Sequence, residues 1–205
     1  MNKRIGILAF TAVAGMFALT GCNPEACKDV DCGTYGSCLD VDLDGTGDCI
    51  CETGYEQNAD GKCNDRVTAK FVGSYNAVEQ CTNTVTGGTF TFNYTVDIEQ
   101  SGPVVSRIIL EGLGDLACDN SASPAKAEIN ATVAGSSLSI DAANYCKDNF
   151  PANIQFSGYQ FQQTNGTISA DRNTITLNYK VTWTELDGST TVNYGYDCNV
   201  TLTRK

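Results

Sequence analysis

The side chains with the most chemistry to offer are eleven cysteines and a row of aspartates from Asp40 to Asp44. A thiol can be acylated, oxidised to a disulfide or used as a metal ligand, and closely spaced carboxylates can bind calcium. An odd cysteine count leaves one thiol that needs a use other than an internal disulfide. The chain has no histidine, so it lacks the usual general base and the commonest metal ligand.

Cys22 ends the run Leu19-Thr20-Gly21-Cys22 behind Lys3, Arg4 and an apolar stretch from Ile5 to Leu19. The stretch is shorter than the ~20 residues of a spanning helix. The segment resembles the signal and lipobox of bacterial lipoproteins. This resemblance implies that residues 1–21 are a signal peptide and that residues 22–26 form a lipidated N-terminus. It also implies that Cys22 carries diacylglyceryl and an added acyl chain such as palmitate.

The resemblance also implies a location. Asn23 is not the aspartate that holds sorted lipoproteins at the inner membrane, so we expect an outer-membrane anchor on the periplasmic or cell-surface side. The formal charge of −11 repels phosphate backbones, which argues against nucleic acid as a partner. With Cys22 lipidated, ten cysteines remain, which is an even number for disulfides in an oxidising compartment.

Six of these cysteines fall within residues 27–65. The run Cys49-Ile50-Cys51-Glu52-Thr53-Gly54-Tyr55, followed by Cys63, resembles the second half of an EGF-like module, and the spacing of the first three cysteines is typical of its first half. Spacing alone leaves 15 connectivities open. The resemblance implies the pairs Cys27–Cys38, Cys32–Cys49 and Cys51–Cys63. A module this small needs such bridges because it cannot bury enough apolar surface.

The segment between the third and fourth of these cysteines predicts a hairpin with the string Asp40-Val41-Asp42-Leu43-Asp44-Gly45 near its turn. A D-x-D-x-D-G string is typical of the start of a calcium loop. Cys51 stands where an EF-hand has its bidentate glutamate, so the complete EF-hand pattern is absent. Two interpretations follow: Asp40, Asp42 and Asp44 bind Ca²⁺, or they form an acidic, solvated turn.

Residues 68–205 alternate apolar and polar side chains with a period of two, which predicts strands with one buried face. The clearest runs are 90–98, 175–183 and 192–202. Weaker strands are predicted at 71–81, 104–110, 127–134, 138–140, 154–161 and 167–170. Asn165-Gly166 and Asp187-Gly188 predict hairpin turns, and a turn of helix fits residues 140–148.

The sequence therefore predicts an all-β chain, with a small disulfide-rich EGF-like module before an antiparallel meander of about eight strands that forms a barrel or a sandwich. In a closed meander the first and last strands pair. Cys81 and Cys198 both have inward parity, so we predict Cys81–Cys198 and Cys118–Cys146, with the two other pairings left open. The strand number and order are loosely similar to lipocalin-like domains of bacterial lipoproteins.

Three functions are compatible with this outline. The first is a non-catalytic lipid-anchored protein that mediates protein or glycan interaction, which the EGF-like resemblance implies. The second is a carrier or receptor for a small apolar or sugar ligand, held by inward aromatic side chains that would otherwise fill a core. Those residues are Phe90, Phe92, Tyr94, Tyr179, Trp183, Tyr194 and Tyr196. The third is an enzyme, which we do not expect because no G-x-S-x-G or H-E-x-x-H motif is present.

Overall fold

A computed structural model of the protein describes residues 25–116, 118, 125–146, 157–187 and 190–205. The predicted signal peptide 1–21 and Cys22 lie outside these residues. None of the helices in the described part of the chain is long and apolar enough to cross a membrane.

The N-terminal module is built from two short antiparallel pairs. Strand β1 (Gly36–Leu39) pairs with β2 (Asp48–Cys51), and β3 (Tyr55–Glu56) pairs with β4 (Asp65–Arg66). The bridges are Cys27–Cys38, Cys32–Cys49 and Cys51–Cys63, the three pairs that the EGF-like resemblance implies. Two of the few side chains that the module fully buries are themselves cysteines, Cys32 and Cys63, so covalent links stand where a larger domain has packing.

The rest of the described chain forms one antiparallel sheet after a 3-10 turn at Val67–Lys70. Its strands are β5 (Gly73–Asn83), β6 (Thr89–Gln100), β7 (Arg107–Glu111), β8 (Glu128–Ala134), β9 (Ser137–Ile140), β10 (Asn144–Tyr145), β11 (Tyr159–Ile168), β12 (Thr174–Asp187) and β13 (Thr190–Arg204). Neighbours in sequence pair, except that β9 and β10 both pair with β11, and β13 returns to β5. The sheet therefore closes into an eight-stranded barrel, in which β10 continues β9 along β11 in the same register. The prediction of an all-β chain with a large antiparallel sheet is confirmed.

The barrel forms because its strands alternate buried and exposed side chains, so closing the sheet removes one face from water. Strand β5 shows this alternation, with Tyr75, Ala77, Glu79 and Cys81 buried and the residues between them exposed. Away from the cavity, large side chains from the surrounding strands fill the interior, and full burial of each contributes about 1.5–3 kcal/mol. This packed part includes Tyr75, Ile98, Ile108, Ile175 and Leu202.

Two predicted local structures are wrong. Asn165-Gly166 is not a turn but lies within β11, where Gly166 is opposite Leu177 of β12. A Cβ atom at Gly166 would lie only 3.0 Å from a Leu177 methyl, so the glycine permits close packing rather than chain reversal. The reversal occurs at residues 169–173, where Ser169 N–H donates to the Thr174 carbonyl. In the described part of 140–148 there is no helix, and residues 144–145 form β10.

The module contacts the packed end of the barrel. Glu56 forms ion pairs with Lys70 and with Arg172, the latter at 3.6 Å. Arg66 donates to the Gln100 side chain at 3.0 Å. Arg172 and Gln100 both lie at the same end of the barrel. The module therefore covers that end and does not cover the opposite one.

Candidate functional site

A cavity of about 450 Å³ occupies the barrel end away from the module. It is lined by strands β5, β6, β12 and β13 and by the loop after β7. The lining residues are Glu79, Cys81, Phe90, Phe92, Gly114, Asp115, Leu116, Tyr179, Val181, Trp183, Tyr196 and Cys198. The barrel is therefore filled at one end and hollow at the other.

Five of the seven aromatic residues predicted for a ligand pocket line this cavity: Phe90, Phe92, Tyr179, Trp183 and Tyr196. Tyr94 is not among the lining residues, although its hydroxyl donates to the lining residue Glu79. Tyr194 stacks on Trp183 with ring centroids 5.1 Å apart and does not line the cavity. Phe92 is 43% exposed and therefore marks the rim.

The aromatic wall is organised by ring contacts. Trp183 stacks against Tyr196 at 5.4 Å, and Phe90 meets Tyr196 edge-on at 5.3 Å. The Trp183 indole N–H donates to Glu185 at 3.0 Å, so the ring keeps a fixed orientation. Rings held in this way present apolar surface without having to be ordered when a ligand binds.

Glu79 is the only glutamate among the described residues that is buried, with 1% of its surface exposed. Its two carboxylate oxygens accept hydrogen bonds from different tyrosines: Tyr94 donates to Oε2 at 2.9 Å, and Tyr179 donates to Oε1. Gly114 N–H in turn donates to the Tyr94 hydroxyl at 2.9 Å. This chain of donors fixes the carboxyl group in the cavity wall.

Burial sets the electrostatics of this group. Desolvation raises the pKa of Glu79, although the tyrosine hydrogen bonds oppose the rise. Burial and the neighbouring carboxylate raise the pKa values of Tyr94 and Tyr179, so both hydroxyls stay protonated and remain donors. Glu79 is thus the buried carboxyl group of the cavity wall, and the exposed Asp115 is the second acidic group among the described lining residues.

Two disulfides belong to the barrel, Cys81–Cys198 and Cys118–Cys146, and both pairs are those predicted above. Cys81 lies directly opposite Cys198 where β5 and β13 pair, and both sulfurs border the cavity. Glu79 lies near these two cysteines, but neither is a thiol. A metal site through Cys81 and Cys198 is therefore excluded while the bridge is intact.

The three aspartates of the module hairpin also come together. One carboxylate oxygen from each of Asp40, Asp42 and Asp44 lies within 4.8 Å of the other two. Asp42 and Asp44 are exposed, whereas Asp40 is buried with 4% of its surface exposed. Gly45 N–H donates to Oδ2 of Asp40 at 3.2 Å.

The sequence prediction missed Glu79 and the loop residues Gly114, Asp115 and Leu116. The sequence did contain a signal for Glu79, because it shares the inward parity of Tyr75 and Cys81. Burying a carboxylate costs free energy unless hydrogen bonds or a charged partner compensate it, so an inward carboxylate indicates a functional role. The loop gave no such signal, since its place beside the cavity depends on contacts distant in sequence.

No protein-family model matches the chain, and no curated protein is significantly similar to it in sequence.

Proposed function

We propose that this protein binds a small organic molecule in the open end of its barrel, as a carrier or receptor. The observation that carries the proposal is the cavity of about 450 Å³ with its five aromatic lining residues. Its volume lies in the range of known ligand sites, about 300–1,000 Å³. Its lining is mostly apolar with a few fixed polar groups, which is the usual composition of such sites.

We further propose that the protein is lipid-anchored through Cys22 at the outer membrane, on its periplasmic or cell-surface side, because of the lipobox-like run that ends in Cys22. A ligand-binding barrel on a short tether suits capture or relay of a molecule within the envelope.

The proposed function is non-catalytic. The residues described around the cavity include no serine, no lysine and no free thiol, and the whole chain has no histidine. The reactive groups that remain are Glu79, Asp115 and tyrosine hydroxyls. Two of those hydroxyls already donate to Glu79, so they position it rather than offer a nucleophile.

A second candidate is the protein or glycan interaction that an EGF-like module implies. It is favoured by exposed apolar side chains on the β1–β2 hairpin: Leu39, Val41, Leu43 and Ile50, which are 38–68% exposed. Apolar groups of this size on a small module are typical of an interaction surface when they are grouped. This surface lies on the module and is compatible with ligand binding in the barrel.

Binding of the neutral dye N-phenyl-1-naphthylamine to the mature chain tests the main proposal. We expect saturable binding of one dye per chain, weakened about tenfold by Phe92→Ser at the rim. Val78→Ser is the matched control, because Val78 is 53% exposed on the outer face of β5. Absence of saturable binding, or equal affinity in both variants, would contradict a ligand site in the barrel.

A further inference from the structure

We propose that the cavity selects a ligand that carries a positive charge, an organic ammonium compound with an aromatic or apolar body. This inference rests on the proposed function and adds the chemical class of the ligand. Three properties of the cavity support it: the sign of its charges, the hydrogen bonding of Glu79 and the aromatic wall.

The charged groups that line the cavity are both acidic. Glu79 forms part of its wall and Asp115 lies on an exposed loop beside it. The described lining residues include no lysine or arginine, and the chain has a formal charge of −11. An anionic ligand would meet only repulsion there, whereas a cation would be attracted both at long range and within the cavity.

Glu79 lacks a positive partner among the described residues. Its two hydrogen-bond donors are neutral tyrosine hydroxyls, which use two of the roughly four lone-pair positions of a carboxylate. A buried carboxylate is costly unless a cation accompanies it. A bound ammonium group would supply that charge and would also fill a free hydrogen-bonding position.

The aromatic wall has the composition that binds organic cations. Phe90, Tyr179, Trp183 and Tyr196 line the same cavity as Glu79. A cation within about 6 Å of a ring centre gains ~0.5–2 kcal/mol from the ring quadrupole, and Trp and Tyr are the strongest partners. Several rings with one carboxylate therefore favour an ammonium group over a neutral hydroxyl of the same shape.

Displacement of N-phenyl-1-naphthylamine by three naphthyl ligands of similar size tests the charge preference. These are 2-(1-naphthyl)ethylamine, 2-(1-naphthyl)ethanol and 1-naphthaleneacetate. We expect the amine to bind about tenfold more tightly than the alcohol and the anion to bind most weakly. If the dye binds but the amine is no better than the alcohol, the charge preference is wrong and the carrier proposal stands. If the dye does not bind, the carrier proposal itself fails.

Two variants test whether Glu79 is responsible for the preference for the amine. Glu79→Gln should remove the advantage of the amine over the alcohol, whereas Glu99→Gln, at an exposed site on β6, should keep it. Should Glu79→Gln fail to fold, Asp115→Asn gives the same test on an exposed loop. Asp115 has a φ of 50°, which asparagine tolerates well. An amine-to-alcohol ratio that stays unchanged in whichever of Glu79→Gln and Asp115→Asn folds would overturn the proposal.

From a different observation, we propose that the module hairpin binds one Ca²⁺ through Asp40, Asp42 and Asp44. Beyond the clustering of three carboxylates, Oδ1 of buried Asp40 has no hydrogen-bond partner among the described residues. A buried oxygen without a donor is costly, and a cation at the cluster would satisfy it.

The geometry and ligand chemistry fit calcium. Oxygens bound to one Ca²⁺ at about 2.3–2.6 Å lie at most about 5 Å apart, and the three oxygens here lie within 4.8 Å of one another. The ligands are all oxygens, as calcium prefers, with neither imidazole nor thiolate for zinc. Because Asp42 and Asp44 are exposed, water can complete the coordination, and we expect the millimolar affinity of extracellular calcium modules.

Calorimetric titration of the mature chain with CaCl₂ tests this site. We expect one ion per chain, with affinity reduced about tenfold or more in Asp42→Asn. Asn keeps the oxygen that accepts from Asp44 N–H, so the fold of the loop is preserved. Asp48→Asn makes the same charge change on the same hairpin outside the cluster and should bind normally. Lack of binding, or equal loss in both variants, would overturn the calcium site.

Discussion

The hydroxyl of Tyr94 donates to Oε2 of Glu79 at 2.9 Å across the paired strands β5 and β6. The same hydroxyl accepts a hydrogen bond from the Gly114 N–H of the loop after β7. One tyrosine thus connects the buried carboxylate, the barrel wall and the loop beside the cavity. The position of Glu79 and the shape of the cavity depend on the same group.

Replacing Tyr94 by phenylalanine should therefore destabilise the barrel. The change leaves the Gly114 N–H and one Glu79 oxygen without their partner, which costs about 1–3 kcal/mol in the free energy of unfolding. Urea unfolding of the wild type and the variant measures this cost. Tyr194→Phe is the control, because the Tyr194 ring stacks on Trp183 and its packing is preserved. Equal stability of the two variants would contradict the bridging role of Tyr94.

Glu79 should make stability depend on pH. Its pKa is raised by burial above the ordinary value of 4.5, so the folded state holds the proton more tightly than the unfolded chain. The stabilisation is complete below the unfolded pKa and is lost as pH rises through the folded pKa. The charged or titratable groups around it are Tyr94, Tyr179 and Asp115, and Asp115 adds to the rise.

The measurement is the free energy of unfolding of the wild type and of Glu79→Gln between pH 4 and 8. We expect the wild type to lose stability relative to the variant as pH rises. A bound ammonium ligand should reduce this loss, since a nearby cation favours the charged carboxylate. If the difference in the free energy of unfolding between the wild type and Glu79→Gln does not change with pH, the raised pKa of Glu79 is contradicted.

The Cys81–Cys198 bridge should be the most stabilising single link in the barrel. It joins the first and last strands of the ring across 117 residues, and closing so long a loop is worth about 4–5 kcal/mol in chain-entropy terms. Guanidinium unfolding of the Cys81→Ala/Cys198→Ala variant, followed by Trp183 fluorescence, should show a loss of that order. A loss below about 1 kcal/mol would mean that strand pairing alone closes the barrel.

Cys22→Ser should release the protein from membranes. In a Gram-negative host grown with labelled palmitate, we expect the wild type to be labelled and to sediment with outer membranes, and the variant to be unlabelled and soluble. Asn23→Asp keeps the acylated cysteine and should shift the protein toward the inner membrane. Membrane association of Cys22→Ser would contradict a lipid anchor at this residue.

The strands could be predicted from the sequence because closure of the sheet divides each strand into a dry and a wet face. The alternation in residues 90–98, 175–183 and 192–202 corresponds to β6, β12 and β13. The same parity placed Cys81 and Cys198 inward on the first and last strands of the ring. An alternation of period two reflects which face of the sheet is buried. It therefore predicts the strands correctly even where the turns between them are not identified.

Turn motifs and other local sequence signals were less reliable where contacts between residues distant in sequence determine the backbone conformation. Asn165-Gly166 has turn chemistry, but packing of Leu138 and Leu177 against Gly166 keeps the segment extended. The hollow end of the barrel could not be predicted either, because it depends on which side chains fail to meet across the interior. Glu79 was visible as an inward acid, yet its tyrosine partners come from residues 15 and 100 positions away.

The cavity and the module lie at opposite ends of the barrel, and this arrangement determines the route of the ligand. If the chain is tethered at Cys22, five residues before the first cysteine of the module, the mouth faces the aqueous space and the filled end faces the bilayer. Cargo would then arrive and leave by diffusion through water. Such a protein would sample the surrounding fluid for soluble amines and would have no access to molecules dissolved in the lipid.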